Sequence, residues 1–385
     1  MSVDWRKCVE AEQVEKWRHL DSMCCGIEVY RANRFLILRP GTDLRVLPSC
    51  HYNNGFVDSP TAIVNTTSMG GMVEMGIMGK PLSVNDEFTA CSLEHSGLDP
   101  DSTVAFGTAA HMENASIVSK VSREGVRVSV AVTGGVRGNG GRAGDPASFD
   151  EAEREYSWKS GTIVLIVAIE AVLTDGAMLD AMLAATQAKS CVLQELQARS
   201  LYTHRIATGS GTDQVGIACL RGQEATVDRA GVATDVGDAV CECVREALFE
   251  ALDLQSGMNL GTQCDPYVLL SRVGIEPTDV HNTFRYPYTA AKILEADSKL
   301  HGDARAATVV QAALGVIDEV ARGKVSEETG LGVIRSLFEG PLISEEDVGP
   351  VSMVLLDACE TMRDYLCLAM AIYLNRICGE AEAIL

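Results

Sequence analysis

From about residue 26 to residue 254, short runs of β-type alternation are interleaved with helical periodicity; beyond that point the alternating runs all but vanish. "GIEVYRA" and "RFLILR" flank Asn33 and predict a hairpin. "RVLPSCHYNNGF" and "TAIVNTT" follow as strands broken by a proline and an Asn-Asn-Gly turn, and "STVAFGTAA", "VRVSVAVTGG" and "GTIVLIVAI" add further strands. Ser83 is placed to cap a helix through Asp86, Glu87, Phe88 and Leu93 that ends near Gly97. The clearest helix runs from Asp175 to Arg199, where Met178, Met182, Leu183, Thr186, Val192, Leu193 and Leu196 recur at three and four residues behind a Thr174 or Asp175 cap. "HRIATGSGT" and "QVGIACL" return as strands, and Asp235 or Asp238 opens a helix through Val240, Val244, Leu248 and Leu252.

The remainder predicts helices at 289–300, 304–322, 326–338 and 345–378. The expected fold class is therefore α/β, a mixed layered sheet with helices, followed by an all-α C-terminal domain, divided as 1–254 and 255–385. The helical part is expected to cap the first domain or to build a homo-oligomer.

Composition narrows the partners. At 385 residues the chain is long for one core and short for three. Hydrophobic residues make up 46% and aromatics 5%, so packing falls to Ala, Val, Gly, Met and Cys. A balance of 32 Lys and Arg against 53 Asp and Glu, net charge -21 with no basic cluster, argues against nucleic acid and anionic lipid. Thirteen cysteines without regular spacing fit reduced thiols in a cytoplasm rather than a disulfide framework. The apolar stretches at 161–169 and 365–375 fall well short of the roughly 20 residues of a membrane span, so no membrane insertion is expected. Asp4, Arg6, Lys7, Glu10 and Glu12 do not read as a secretory signal.

Two glycine-rich clusters, "VTGGVRGNGGRAGDP" at 132–146 and "ATGSGTDQV" at 207–215, each follow a β-type stretch, where glycine admits close approach of backbone to a ligand. In the second, Asp213 follows Gly209, Ser210, Gly211 and Thr212. A carboxylate beside hydroxyls is the minimum equipment for acyl transfer, and the same string also reads as a turn whose polar side chains satisfy backbone amides. In the first, Arg142 and Asp145 among glycines read as an anion nest or as a surface loop. His111 and Glu113 share a face if the preceding strand continues, which makes them acid/base or metal candidates, or a hydrogen-bonded turn. The pairs Cys24–Cys25, Cys50–His51 and Cys241–Cys243 lack zinc-site spacing, so no metal site is expected. Asn53, Asn54 and Gly55 read as a hairpin loop or a turn that presents amides to a ligand, and Lys189 reads from the helix as a solvated residue.

"SCHYNNGF", "VTGGVRGNGGRAGDP", "GTIVLIVAI", "AATQAKSCVLQEL" and "ATGSGTDQV", in that order over roughly residues 40–254, resemble the adenosylcobinamide amidohydrolase (CbiZ) family. The helical remainder has no counterpart in that resemblance. It implies a cytoplasmic hydrolase of cobamide salvage that removes the aminopropanol arm from adenosylcobinamide and releases adenosylcobyric acid. The cobalt corrinoid is then substrate, and no cofactor is expected. Substrate-binding positions implied on this chain are Asn54, Gly55, Thr133, Gly134, Arg142, Gly144, Gly161, Thr162, Lys189, Thr208, Gly209 and Gly211. The catalytic residues expected are Asp213, Thr212, His111 and Asp145. Asp213 or His111 would activate water or the Thr212 hydroxyl, loop amides and Arg142 would hold the oxyanion, and Asp145 would orient the base or the leaving amine.

The chain departs from the family pattern at His111, where members commonly carry aspartate after Thr108-Ala109-Ala110, and at Ala233-Thr234 in place of a His-Thr pair. The departures leave open a related amide as substrate, or a corrinoid- or tetrapyrrole-binding protein without hydrolysis. A self-cleaving hydrolase with a new N-terminal Thr or Ser is a third expectation.

Overall fold

The computed structural model describes all residues except 1–3, 51, 68–81, 148, 151, 153–154, 157–161, 284–287, 345–349 and 381–385. It divides into a unit ending at Asn259 and one starting at Leu260.

The first unit opens with helix α1 (Trp5–Ala11) and strands β1 (Arg18–Met23), β2 (Ile27–Ala32), β3 (Phe35–Pro40), β4 (Leu44–Pro48), β5 (Val57–Asp58) and β6 (Ala62–Thr67). Helix α2 (Leu82–His95), β7 (Thr103–Thr108), β8 (Ser116–Val121), β9 (Arg127–Gly134) and the two-residue strands β10 (Gly140–Gly141), β11 (Phe149–Asp150) and β12 (Glu155–Tyr156) follow. The unit closes with β13 (Ile163–Ile169), α3 (Asp175–Glu195), β14 (Gly209–Ser210), β15 (Gln214–Leu220) and α4 (Asp235–Ser256). One sheet has the order β1-β2-β3-β6-β7, the other β5-β4-β15-β13-β9-β8. Only β6–β7 and β13–β15 pair in parallel within them.

The two sheets lie face to face. Ile27, Val29, Leu36, Leu38, Ile63 and Phe106 of the first pack on Ala131, Val164, Ile166, Ala168 and Ala218 of the second. The outer face of the second, with Val130, Val132, Leu165, Val167 and Ile217, is covered by α3 and α4, and the outer face of the first packs on Leu93 of α2 and on Leu98. The layers are thus helix, sheet, sheet, helix. This explains the unbroken run in β13: with sheet on one side and helices on the other, all seven residues are buried and no polar alternation survives.

The βαβ unit places the long helix. The chain leaves the C-terminal end of β13, and Thr174 caps α3 by accepting the Ala177 N–H at 3.1 Å. The cap is Thr174, with Asp175 in the first turn. The buried face of α3 is a seam of Ala177, Ala181, Ala184, Ala185 and Ala188 with Met178 and Val192. Leu183, expected to face the core, is 59% exposed. Small residues let α3 and α4 approach closely, and the larger aliphatics are displaced to the rim. Thr234, one residue before the expected start, caps α4 through the Gly237 N–H at 3.1 Å.

Two further expectations are corrected. "HRIATGSGT" is not a strand: Arg199↔Ile206 is an isolated bridge, and only Gly209–Ser210 pairs further on. Ser83 lies inside α2, which already begins at Leu82.

The second unit is helical throughout its described residues: α5 (Leu260–Gln263), α6 (Pro266–Ser271), α7 (Pro277–Thr283), α8 (Ala290–His301), α9 (Ala304–Ala321), α10 (Glu327–Phe338), α11 (Pro350–Asp357) and α12 (Met362–Glu380). The single helix expected over 345–378 is two, parted at Ala358–Thr361, and residues 345–349 lie outside the described residues. Residues 365–374 of α12 are all buried, which makes it the axis of the bundle and accounts for a sequence apolar on every side. Among the described residues no helix is long and apolar enough to cross a membrane.

The thiols range from buried to exposed. Burial pushes Cys50 and Cys243 up to about 12, whereas Cys191 and Cys264 are exposed. Since the thiolate is the reactive form, alkylation of the native protein with iodoacetamide at neutral pH should label Cys191 and Cys264 first. Peptide mass spectrometry should find Cys50 and Cys243 modified only after denaturation.

Candidate functional site

The two glycine clusters meet. Gly140 pairs with Ser210 and Gly141 with Gly209 as the short β10–β14 ladder. Thr208 N donates to Gly141 O at 2.9 Å, and Ala143 N donates to Thr208 Oγ1 at 2.9 Å. The approach is possible only for glycine at two places. A Cβ on Gly140 would lie 2.5 Å from Arg199 O, and one on Gly209 would lie 2.0 Å from Asp213 Oδ2 and 2.7 Å from Lys189 Nζ.

Asp213 stands just before β15, beside the start of β13. Its Oδ1 accepts Ser210 Oγ at 2.6 Å, Ser210 N at 3.0 Å and Ile163 N at 3.2 Å. Its Oδ2 is paired with the Lys189 ammonium. Lys189 comes from the far side of the crossover. Fourteen residues of α3 past Asp175 span about 21 Å, and β13 with its flanking residue spans about the same; the helix therefore delivers Lys189 to the edge where β13 and β15 begin. Lys189 is not the solvated residue its place in the sequence suggested: its side chain is 8% exposed and that of Asp213 is 11%. Next to the pair, Thr162 Oγ1 and Thr212 Oγ1 are 2.5 Å apart, and Thr212 N donates to Ser210 Oγ at 3.2 Å.

The same edge is polar across both sheets. In β9 the residues facing the opposite sheet are Ser129, Ala131 and Thr133; in β6 they are Ile63, Asn65 and Thr67; in β7, Val104, Phe106 and Thr108. In β6 and β7 the inward positions turn from apolar to amide and hydroxyl at this end, and β9 contributes Thr133 there, while its other inward hydroxyl, Ser129, lies at the far end opposite Ala168. Asn65 Nδ2 donates to Thr133 Oγ1 at 2.7 Å, Thr108 Oγ1 to Thr162 O at 3.5 Å, and Gln214 bridges to Gly107 through both amide atoms.

Other expected residues fall elsewhere. Asp145 accepts Arg142 N and Ser200 Oγ at 2.6 Å each and Thr203 Oγ1 at 3.0 Å, and braces the first loop against residues 200–203. It shares none of these partners with Asp213. Arg142 Nη1 is spent on Ile206 O at 2.8 Å. Gly144 completes the Arg142–Asp145 turn, Gly134 ends β9 opposite Ile163, and Gly211 is exposed between β14 and Asp213. Gly161 lies outside the described residues. Asn54 and Gly55 are set apart: the neighbouring Asn53 binds Pro100 O and Thr103 O at 2.7 Å, at the start of β7. Thr108 ends that strand some five residues on, about 16 Å away.

His111 and Glu113 do not continue the strand. A 3-10 turn begins at Met112, the His111 ring has no hydrogen bond or ion pair to a described residue, and Glu113 pairs with Arg31 at 2.8 Å. Glu113 lines a shallow polar depression of about 260 Å³ with Arg18, Asp21, Arg31, Ser116 and Glu250, which includes none of Lys189, Ser210 and Asp213. Among the described residues no three His, Cys, Asp or Glu side chains gather as a metal site. Asn65, Thr108 and Gln214 were not among the expected site residues, and a polar residue at an inward parity of a strand end is the signal that marks them; Ser210 was read only as one of the hydroxyls beside Asp213.

A buried lysine–carboxylate pair with adjoining hydroxyls at the edge of a double-sheet α/β fold is the candidate site. The family is shown by comparison. The family model described as CbiZ, adenosylcobinamide amidohydrolase, matches residues 20–260, more than half of the chain, and the chain belongs to that family. It is 29% identical over 177 residues to the uncharacterized protein MJ1613 of Methanocaldococcus jannaschii, a match that covers 43% of this chain and 68% of that one. The crystal structure of the PH0078 protein from Pyrococcus horikoshii is similar with 13% identity and a TM-score of 0.29, over 63% of this chain and 82% of that one.

Proposed function

We propose that the chain hydrolyses an amide of a corrinoid, converting adenosylcobinamide to adenosylcobyric acid and aminopropanol. Membership of the family supports the amide-hydrolase class. The observation that carries the chemistry is Ser210 Oγ donating to Asp213 Oδ1 at 2.6 Å while Lys189 holds the other carboxylate oxygen. In the expected scheme the nucleophile was water or the Thr212 hydroxyl; the Thr212 hydroxyl is engaged with Thr162, and the hydroxyl on the carboxylate belongs to Ser210.

In the proposed reaction Ser210 Oγ attacks the amide carbonyl carbon as its proton passes to Asp213. The carboxylic acid returns that proton to the amide nitrogen, the C–N bond breaks, and aminopropanol leaves. Water then attacks the Ser210 ester, giving a proton to Asp213, which passes it to Ser210 Oγ as the ester C–O bond breaks, so that the acid product departs with Ser210 and the Asp213 carboxylate restored. Lys189 keeps Asp213 oriented and supplies positive charge beside the developing oxyanion.

A second reading, binding without hydrolysis, is favoured by the saturation of Asp213, whose oxygens already accept two backbone N–H groups, a hydroxyl and an ammonium. Incubation with adenosylcobinamide and quantification of free aminopropanol by mass spectrometry separates the two. Wild-type protein should release it catalytically, and Ser210→Ala and Asp213→Asn should each slow release by at least about 100-fold. A changed corrinoid spectrum with no aminopropanol would establish the binding reading instead.

A further inference from the structure

Asn65 is one of the fully buried polar residues at this end of the sheets. It is 1% exposed, on β6, in the sheet opposite the one that leads into Lys189 and Asp213. One end of its carboxamide is fixed on Thr133, itself 1% exposed. The other end, Oδ1, has no hydrogen-bond partner among the described residues. A buried carbonyl oxygen left unmatched costs about 1–3 kcal/mol, a cost that a structural role on Thr133 alone does not require, since an apolar pair of the same shape would fill the position more stably. Between Asn65 and the rim stand Thr108 and Thr162, also buried, and then the half-exposed Gln214 and Thr212, a graded polar line between the sheets.

We propose that Asn65 recognises an amide of the ligand, by pairing its free carboxamide end with that amide. The proposal rests on the amide-hydrolase reading of this site and names the group the site reads. An amide is the complement because it carries both N–H and C=O. With Nδ2 on Thr133 the free Oδ1 accepts the ligand N–H; with the side-chain amide turned over, the free NH2 donates to the ligand carbonyl. An ester, a carboxylate or an alkyl arm meets only one of those arrangements or neither. Asn65 is thereby a binding residue between the sheets, on the side of Thr133, whereas Asp213 stands beside Lys189 of α3.

The test uses Asn65→Leu in the full chain, with thermal unfolding and a spectrophotometric titration with adenosylcobinamide run side by side. The expected result is a variant that still folds cooperatively, with loss of the unmatched Oδ1 offset by loss of the bond to Thr133, yet binds the corrinoid about tenfold more weakly, the worth of one buried hydrogen bond. A variant that keeps wild-type affinity overturns the proposal, whatever its melting temperature. If wild-type protein itself binds no corrinoid, the corrinoid reading fails separately, and acetamide becomes the probe. Titrated into 15N-labelled wild-type protein, with the Asn65 side-chain NH2 signal assigned by its loss in the variant, acetamide should shift that signal; an unmoved signal at saturating acetamide overturns the proposal. Should Asn65→Leu fail to fold, the acetamide titration is decided on wild-type protein, with the signal assigned by selective asparagine labelling and its contact to Thr133.

Discussion

Lys189→Ala should be among the most damaging single substitutions in the first unit, lowering stability by about 3–5 kcal/mol. The pair it breaks is nearly dry, with side chains 8% and 11% exposed, so the alanine variant leaves the Asp213 carboxylate inside without a countercharge. Thermal unfolding should show a fall on the order of 10 °C. The double variant Lys189→Met with Asp213→Leu removes both charges together, and much of the lost stability should return, since a buried ion pair replaced by apolar groups is often neutral or better. Amide hydrolysis should not return with it. A double variant as unstable as the single one would mean that the carboxylate's bonds to Ser210 and Ile163, rather than the charge pair, hold this edge together.

Gly209→Ala should lose both stability and activity with the addition of one methyl group. The new Cβ would sit 2.0 Å from Asp213 Oδ2 and 2.7 Å from Lys189 Nζ, so the carboxylate must leave its place between Ser210 and Ile163. Overpacking of this kind costs about 1–3 kcal/mol, and hydrolysis should drop by about 100-fold or more as the base is displaced. Gly138→Ala is the matched control from the same pair of loops: a Cβ there meets nothing within 4 Å. Circular dichroism melts and aminopropanol release, measured on both variants, check the contrast. A Gly209→Ala protein with wild-type turnover would remove the Asp213 carboxylate from the mechanism.

The sequence was most legible where local physics and the fold agree. The run 163–169 is a strand because both its faces are covered, and the periodicities of 175–195 and 235–256 are helices with hydroxyl caps at Thr174 and Thr234. The convergence of the glycine clusters was also readable, since close backbone approach is what glycine permits, and Gly140 and Gly209 use it. Lys189 was not readable as a buried residue. Nothing local distinguishes it from any lysine on a helix; its burial follows from the length of α3 relative to β13 and from the Asp213 that waits at the far edge. Leu183 misled for the opposite reason, because the helix pair closes through alanines and leaves the leucine outside. His111 followed a strand that a 3-10 turn interrupts, a local choice the alternation before it does not encode.

Thr162, Lys189, Ser210 and Asp213 all lie within one unbroken stretch of chain, strand to crossover helix to strand, whereas Asn65 and Thr108 arrive from the other sheet. The charged apparatus is thus encoded in a single module, and the opposing wall is encoded separately. Substitutions in the N-terminal strands can therefore alter that opposing wall while the segment that carries the charge pair stays as it is.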